Sequence, residues 1–175
     1  MVSHMYRGTP DRPGLVLGLD IGGACHGIAF QVADEDWVET VNYLRAREQV
    51  TNMYHELVKP VRLAERSPPK AGRGPEPGLP DLGGKGMPGQ NAEPIAARPN
   101  EARKAKAMFY AVNRGHRQYA GRLSLEDQLQ HVRQGHGQSG SCVDYVLNTV
   151  QHLREVGIRD HPLEKLVHAL HKIGA

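Results

Sequence analysis

The 175-residue sequence contains little cysteine, a modest share of apolar residues and no long hydrophobic run. Its two cysteines, Cys25 and Cys142, are too few for a disulfide framework and lack the spacing of a metal site, so we expect both to stay reduced. No stretch approaches the about 18–20 consecutive apolar residues that cross a bilayer. No charged start leads into an apolar segment of the signal-peptide kind. These absences favour a cytoplasmic protein that does not contact a membrane.

The basic charge is concentrated in one segment of the chain. The net charge is +3 and the pI is about 9.0, but residues 66–106 hold eight Lys/Arg and only four Asp/Glu, which leaves the remainder slightly acidic. A nucleic-acid-binding module usually concentrates positive charge on its folded face. We therefore expect no nucleic-acid partner.

The pattern of the chain predicts a single domain over residues 6–175 that is interrupted by an insertion at 66–100. Residues 1–5, MVSHM, resemble a tag or start-site remnant, and we exclude them from the fold. The insertion contains eight of the twelve prolines and seven of the twenty glycines. Because such a segment buries too little apolar surface to offset its ordering entropy, we predict that it is disordered. A proline-rich ligand for a partner domain is the alternative.

Hydrophobic periodicity predicts strands and helices in the order β-β-α-β, insertion, β-α-α-α. Two apolar strands at 15–19 and 26–33 flank a turn that contains glycine and are typical of a β-hairpin. Asp34 can cap the next helix, which runs to about Glu48 or Val50. This order indicates an α+β fold rather than a strictly alternating one.

The second half of the sequence contains clearer signals for where helices begin and end. Strands are predicted near 57–63 and 107–112. Ser124 with Asp127 resembles a capping box at the start of a helix. Gly157 is a predicted C-cap of the longest helix, and Pro162 suits the first turn of the last helix.

Residue spacing alone identifies no metal or nucleophile site. Among ten histidines, the pair His168 and His171 lacks a third ligand at a diagnostic spacing for zinc. The SGSC segment at 139–142 lacks the pattern of a nucleophile elbow. Glu48 stands out because it lies near a helix C-terminus, where the helix dipole disfavours a negative charge and so favours a role as a base. The alternative for Glu48 is an ordinary solvated residue paired with an arginine.

Several segments resemble the ChaC-like γ-glutamylcyclotransferases. The stretch YRGTPDRPGLVLGLDIGGACHGIAF is similar to the early part of that family, and YLRAREQVTNMY to the segment that ends in its catalytic glutamate and a following tyrosine. The stretch HRQYAGRLSLEDQLQHVRQGHGQSGSCVDYVLNTVQHLREVGIRDHPLEKL resembles its C-terminal half. The resemblance covers Tyr6 to about Glu65 and about Ala102 to the end.

The resemblance implies roles for four residues. Glu48 falls on the catalytic glutamate of the family. Three tyrosines, Tyr54, Tyr119 and Tyr145, match tyrosines near the substrate, although amphipathic packing is the competing explanation for each of them. The implied reaction cleaves a γ-glutamyl peptide, glutathione above all, to 5-oxoproline and Cys-Gly without cofactor or metal.

The family fold is a small mixed β-barrel flanked by helices, and this sequence departs from it in two places. It lacks the Tyr-Gly-Ser-Leu loop whose backbone N–H groups hold the γ-glutamyl end of the substrate, together with the N-terminal strand or strands. Unpaired strand edges then favour self-association. The alternative to an enzyme is a truncated, non-catalytic relative that acts as a binding or interaction protein.

Overall fold

The computed structural model describes residues 1–63, 93–94 and 103–174 of the chain. These residues form two compact units. Residues 1–18 and 117–174 belong to the first, and residues 19–63, 93–94 and 103–116 to the second. Each unit combines helix and strand, in agreement with the predicted α+β class. None of the helices in the described part of the chain has both the length and the apolar character that spanning a bilayer requires.

Three helices build the first unit, and a side chain caps the N-terminus of each. They are α2 (Leu125–Gln134), α3 (Cys142–Glu155) and α4 (His161–Lys172). Ser124 Oγ accepts from the Asp127 amide at 3.1 Å, and Asp160 Oδ1 accepts from the Leu163 amide at 3.0 Å. The predicted cap at Ser124 and the proline in the first turn of α4 are therefore confirmed.

The core of the first unit lies between these three helices. Leu170, Val132 and Cys142 are fully buried, and further apolar side chains of α3 and α4 complete the cluster. Gly157 ends the turn after α3 in the left-handed region, with φ of +69°. A residue with a Cβ is strained in this region, which explains the predicted C-cap glycine. The core cluster consists of Val132, Cys142, Val146, Val150, Leu166, Val167 and Leu170.

The first residues of the chain take part in this unit. Strand β1 (Val2–Ser3) pairs antiparallel with β2 (Gly14–Leu15), and the Ser3 side chain is buried. The Gln138 amide donates to the Met5 carbonyl at 2.8 Å. Residues 1–5 therefore belong to the folded unit, and our exclusion of them from the fold is corrected.

Close backbone packing explains the glycines that follow α2. A short hairpin there joins β7 (His136–Gly137) to β8 (Gly140–Ser141). A Cβ at Gly135 would stand 2.5 Å from the Arg7 carbonyl oxygen, and a Cβ at Gly137 would stand 2.3 Å from the Met5 carbonyl oxygen. The backbone of the N-terminal segment can lie this close only because these positions lack a side chain.

A long antiparallel ribbon dominates the second unit. Strand β4 (Tyr54–Leu63) pairs with β6 (Arg103–Val112) over ten residues each. The register sets Tyr54 opposite Val112 and Glu56 opposite Tyr110. Ala111 and Val112 are buried at the end of the ribbon where Tyr54 lies. The two strands predicted at 57–63 and 107–112 are therefore confirmed, and both are longer than predicted.

Helix α1 (Trp37–Glu48) has the predicted end but not the predicted start. Residues Asp34–Asp36 form a 3₁₀ turn, with the Asp36 amide bonded to the Ala33 carbonyl at 3.1 Å. The N-cap residue is Asp36, and no side chain caps the helix. The prediction that Asp34 caps it is wrong, because the 3₁₀ turn moves the first α-helical turn two residues along the chain.

The predicted hairpin at 15–33 is also wrong. Strand β2 pairs with β1, whereas β3 (Phe30–Gln31) pairs with β5 (Glu93–Pro94). Most of the predicted disordered insertion at 66–100 lies outside the described residues. Glu93–Pro94 is the part that is described, and it forms a strand.

Candidate functional site

Glu48 is the last residue of α1, and its carboxylate is held from one side. Arg47 Nε donates to Glu48 Oε1 at 2.7 Å, and the Glu48 side chain is 22% exposed. Burial disfavours the charge on Arg47, but hydrogen bonds with Glu48 and Tyr43 outweigh it and raise the pKa of Arg47. The second oxygen, Oε2, accepts no hydrogen bond from the residues that the structure describes. Oε2 of Glu48 can therefore accept a hydrogen bond from a ligand.

The turn after α1 fixes the position of Glu48 relative to β4. Asn52 lies in the left-handed region, with φ of +54°. Asparagine tolerates this conformation better than most residues with a side chain. Asn113, next to the end of β6, donates its amide to the Asn52 carbonyl at 3.1 Å. The short connection therefore ties the end of α1 to the end of the ribbon.

A second carboxylate, Glu56, lies on β4, and both of its oxygens accept hydrogen bonds. Arg45 donates to it through two parallel bonds, Nε to Oε2 at 2.8 Å and Nη2 to Oε1 at 2.7 Å. The Tyr110 hydroxyl donates to Glu56 Oε2 at 3.2 Å from the facing strand. The bonds from Arg45 lower the pKa of Glu56 against the opposing effect of burial, and Tyr110 adds to the lowering. Glu56 is thus a paired anion at neutral pH.

Tyr110 connects the two carboxylates electrostatically. Burial raises the pKa of Tyr110, and the hydrogen bond and charge of Glu56 raise it further. The negative charge of Glu48 also raises the pKa, whereas Arg45 opposes the rise. The phenol therefore stays protonated and within range of both acids.

The predicted tyrosines divide between the two units. Tyr54 begins β4, is half-buried, and lies on the same face of the strand as Glu56, because side chains two residues apart point the same way. Glu48 and Tyr54 thus belong to the second unit. Tyr119 is half-buried in the segment before α2 of the first unit, and Tyr145 lies on α3.

Tyr145 is built into the packing of the first unit. Its hydroxyl accepts a hydrogen bond from the Leu17 amide at 3.1 Å. The guanidinium of Arg7 stacks over its ring at 4.9 Å from the centroid, a favourable cation–π geometry. Burial raises the pKa of Tyr145, and the bond from Leu17 opposes the rise. The hydroxyl also bonds the Thr149 side chain, which opposes the rise as well.

The sequence as a whole matches the family model described as "ChaC-like protein" over residues 1–173. The chain belongs to the ChaC-like family. This confirms the resemblance found in the sequence. No curated protein matches this ChaC-like chain.

Solved structures show the same fold. Two crystal structures of the glutathione-specific γ-glutamylcyclotransferase from yeast superpose on this ChaC-like chain. One, at 20% sequence identity, has a TM-score of 0.65 and covers 99% of this chain and 84% of the yeast chain. The other, which is selenomethionine-labelled, has 18% identity and a TM-score of 0.63, and it covers 98% and 81% of the two chains. The predicted γ-glutamylcyclotransferase-like fold is therefore confirmed.

Other chemistry-bearing residues of this ChaC-like chain form no second centre within the described ranges. No group of three or more His, Cys, Asp or Glu in the described residues is placed to hold a metal ion. Both cysteines are free, Cys25 exposed and Cys142 buried. Cys142 Sγ donates to the Leu15 carbonyl at 3.2 Å and accepts from the Leu15 amide at 3.3 Å. Burial raises the pKa of Cys142, so this thiol is a packing group rather than a nucleophile.

Sequence reasoning missed Arg45, Glu56 and Tyr110. One signal was available: Arg45 lies three residues before Glu48 on the predicted helix. Glu56 lies just before the strand predicted at 57–63, so its place two residues after Tyr54 on β4 was not foreseen. The pairing of Glu56 with Tyr110 depends on the register of the ribbon, which the sequence pattern does not contain.

Proposed function

We propose that this chain is a γ-glutamylcyclotransferase that cleaves glutathione to 5-oxoproline and Cys-Gly, with Glu48 as the general base and acid. The observation that carries the proposal is the family match over residues 1–173. It is supported by the position of Glu48 at the end of α1, with its side chain 22% exposed and one carboxylate oxygen unengaged by the described residues. The superposed yeast enzyme, which is specific to glutathione, supports the choice of substrate.

The proposed reaction needs a proton acceptor more than it needs a cofactor. The α-amino group of the γ-glutamyl residue attacks its own γ-carbonyl, which forms the C–N bond of a five-membered lactam and breaks the bond to the cysteine nitrogen. At neutral pH this amine is largely an ammonium ion. Glu48 Oε2 takes one proton from the ammonium to free the nucleophile and a second when the ring closes, and both pass to the departing nitrogen, which leaves as the ammonium group of Cys-Gly. Atoms balance without water, because the attack is intramolecular and ring closure releases the dipeptide.

The arrangement around Glu48 suits this role. Arg47 fixes the carboxylate by holding Oε1, so that Oε2 faces the substrate ammonium in a defined orientation. Since the nucleophile and carbonyl belong to one molecule, the protein mainly selects the folded substrate conformation. We assign substrate contacts to Tyr54, Tyr119 and Tyr145, whose hydroxyl and ring surfaces can contact the γ-glutamyl backbone.

The deciding experiment measures 5-oxoproline and Cys-Gly released from glutathione by the wild-type chain and by Glu48→Gln. Glutamine keeps the size and one hydrogen-bonding oxygen but cannot accept the proton. We expect kcat to fall by about 10²–10⁴, the range of general acid–base catalysis. Other γ-glutamyl peptides assayed alongside define the substrate range.

Glu39→Gln is the matched control, because Glu39 lies on the same helix and is exposed. It should retain wild-type kcat. A Glu48→Gln protein with kcat equal to this control would remove Glu48 from the mechanism. A folded wild-type chain that releases no 5-oxoproline from any γ-glutamyl peptide would contradict the enzymatic function.

A further inference from the structure

Two arginines and two carboxylates meet where α1 ends, and their pairing is selective. Arg47 binds Glu48 through one oxygen, whereas Arg45 binds Glu56 through both. Glu56 is the better enclosed acid, with its side chain 18% exposed, and it receives a third bond from Tyr110. Glu56 therefore accepts three hydrogen bonds from these side chains, whereas Glu48 accepts one.

Arg45 has a second carboxylate as a neighbour on its own helix. It lies three residues before Glu48 on α1, and side chains at this spacing are neighbours on the helix surface. Its side chain is 51% exposed, so little packing restrains it apart from Glu56. A planar guanidinium that binds a carboxylate in two places is strongly oriented. Glu56 therefore determines which acid Arg45 pairs with.

We infer that Glu56 is a positioning residue for the proposed reaction: by binding Arg45 in two places, with Tyr110 as a third donor, it keeps this second cation away from the free oxygen of Glu48. The inference rests on the proposed function.

The consequence for catalysis follows from charge. A second guanidinium on Glu48 would occupy Oε2, where the substrate ammonium must bind. It would also stabilise the carboxylate further and so make it a weaker base. In the described part of the chain, Arg47 forms an ion pair with Glu48, and the charge of Glu48 raises the pKa of the Tyr110 phenol, whereas Arg45 acts on Glu56 and Tyr110.

The test compares three variants in the 5-oxoproline assay, with the pH dependence of kcat recorded for each. In Glu56→Gln, Arg45 loses its anionic partner and turns to Glu48. We expect kcat to fall about 5-fold, the rate equivalent of one surface ion pair. The acid limb of the kcat profile should move to lower pH, because an added cation favours the ionised carboxylate.

Arg45→Gln and the double variant Arg45→Gln/Glu56→Gln separate positioning from simple anchoring. Without Arg45 there is no second cation to exclude, so we expect both to show kcat within about 2-fold of wild type and an unmoved acid limb. If the ion pair merely anchors α1 to the ribbon, removing both partners should harm activity at least as much as removing one. Thermal unfolding of each variant shows whether the fold is kept.

Each outcome of these assays either supports or overturns the inference. A double variant as impaired as Glu56→Gln would overturn the inference while an active wild type and an inactive Glu48→Gln keep the proposed function. If Glu56→Gln fails to fold, Arg45→Gln decides: near-wild-type kcat supports the inference, and a loss of 5-fold or more overturns it. A wild-type chain without activity would overturn the proposed function and this inference with it.

Discussion

Replacing Leu170 by alanine should remove a large part of the stability of the first unit. Leu170 is fully buried on α4, inside the cluster formed with α2 and α3. The change deletes three carbon atoms, and at about 0.8 kcal/mol for each buried CH₂ the lost transfer free energy is roughly 2.4 kcal/mol. The cavity left between three packed helices adds to this, so the expected loss in the free energy of unfolding is about 3–4 kcal/mol.

The measurement is urea unfolding followed by far-UV circular dichroism, which reports mainly on helices. Leu125→Ala is the matched control, because Leu125 is a helical leucine that is 45% exposed. Its loss should be about 1.3 kcal/mol, since only a little over half of this side chain is buried and no closed cavity forms.

Equal midpoints for the two variants would refute the reasoning, because the same deletion would then cost the same in the core and at the surface. A loss below about 1 kcal/mol for Leu170→Ala, with an unchanged dependence on urea, would likewise show that the three helices are not packed around this residue.

Two further predictions concern a hydroxyl and an ion pair of the first unit. Tyr145→Phe removes the acceptor of the Leu17 amide, so we expect a stability loss of about 1 kcal/mol in urea unfolding. Because Tyr145 is a proposed substrate contact, we also expect the KM for glutathione to rise roughly 2- to 10-fold while kcat is kept. An unchanged KM would restrict Tyr145 to a packing role. The bonds from Arg154 lower the pKa of Glu164, so the pair stabilises the fold above the ordinary glutamate pKa of about 4.3 and this contribution is lost as the pH falls through the lowered value. The difference in melting temperature between wild type and Glu164→Gln should therefore shrink below pH 4.3, and a difference that grows on acidification would contradict the assigned sign.

The features that sequence reasoning located correctly are local. The Ser124 cap depends on residues three apart, and the Gly157 C-cap depends on one glycine at the end of an apolar stripe. The end of α1 at Glu48 follows from helical periodicity in the same way. Such signals act within one or two turns of the chain, so the sequence displays them directly.

The features that sequence reasoning placed wrongly involve residues whose partners are distant in the chain. Alternation identified strand character near Leu15 and Phe30 but not which strand each one joins, because a period of two is compatible with any partner. Residues 1–5 carry no apolar pattern of their own, yet their backbone groups pair with Gly14–Leu15 and with the turn after α2.

For the candidate site, the sequence by itself indicated the family, the helix that ends near Glu48 and Glu48 as the acid that we propose as the base. Only the tertiary structure decided which arginine binds which carboxylate. The ten-residue register of β4 on β6 sets Glu56 opposite Tyr110, and the turn at Asn52 brings the end of α1 alongside. Charges of opposite sign pair by distance in space, and that distance is fixed by strand register and turn geometry rather than by separation along the chain.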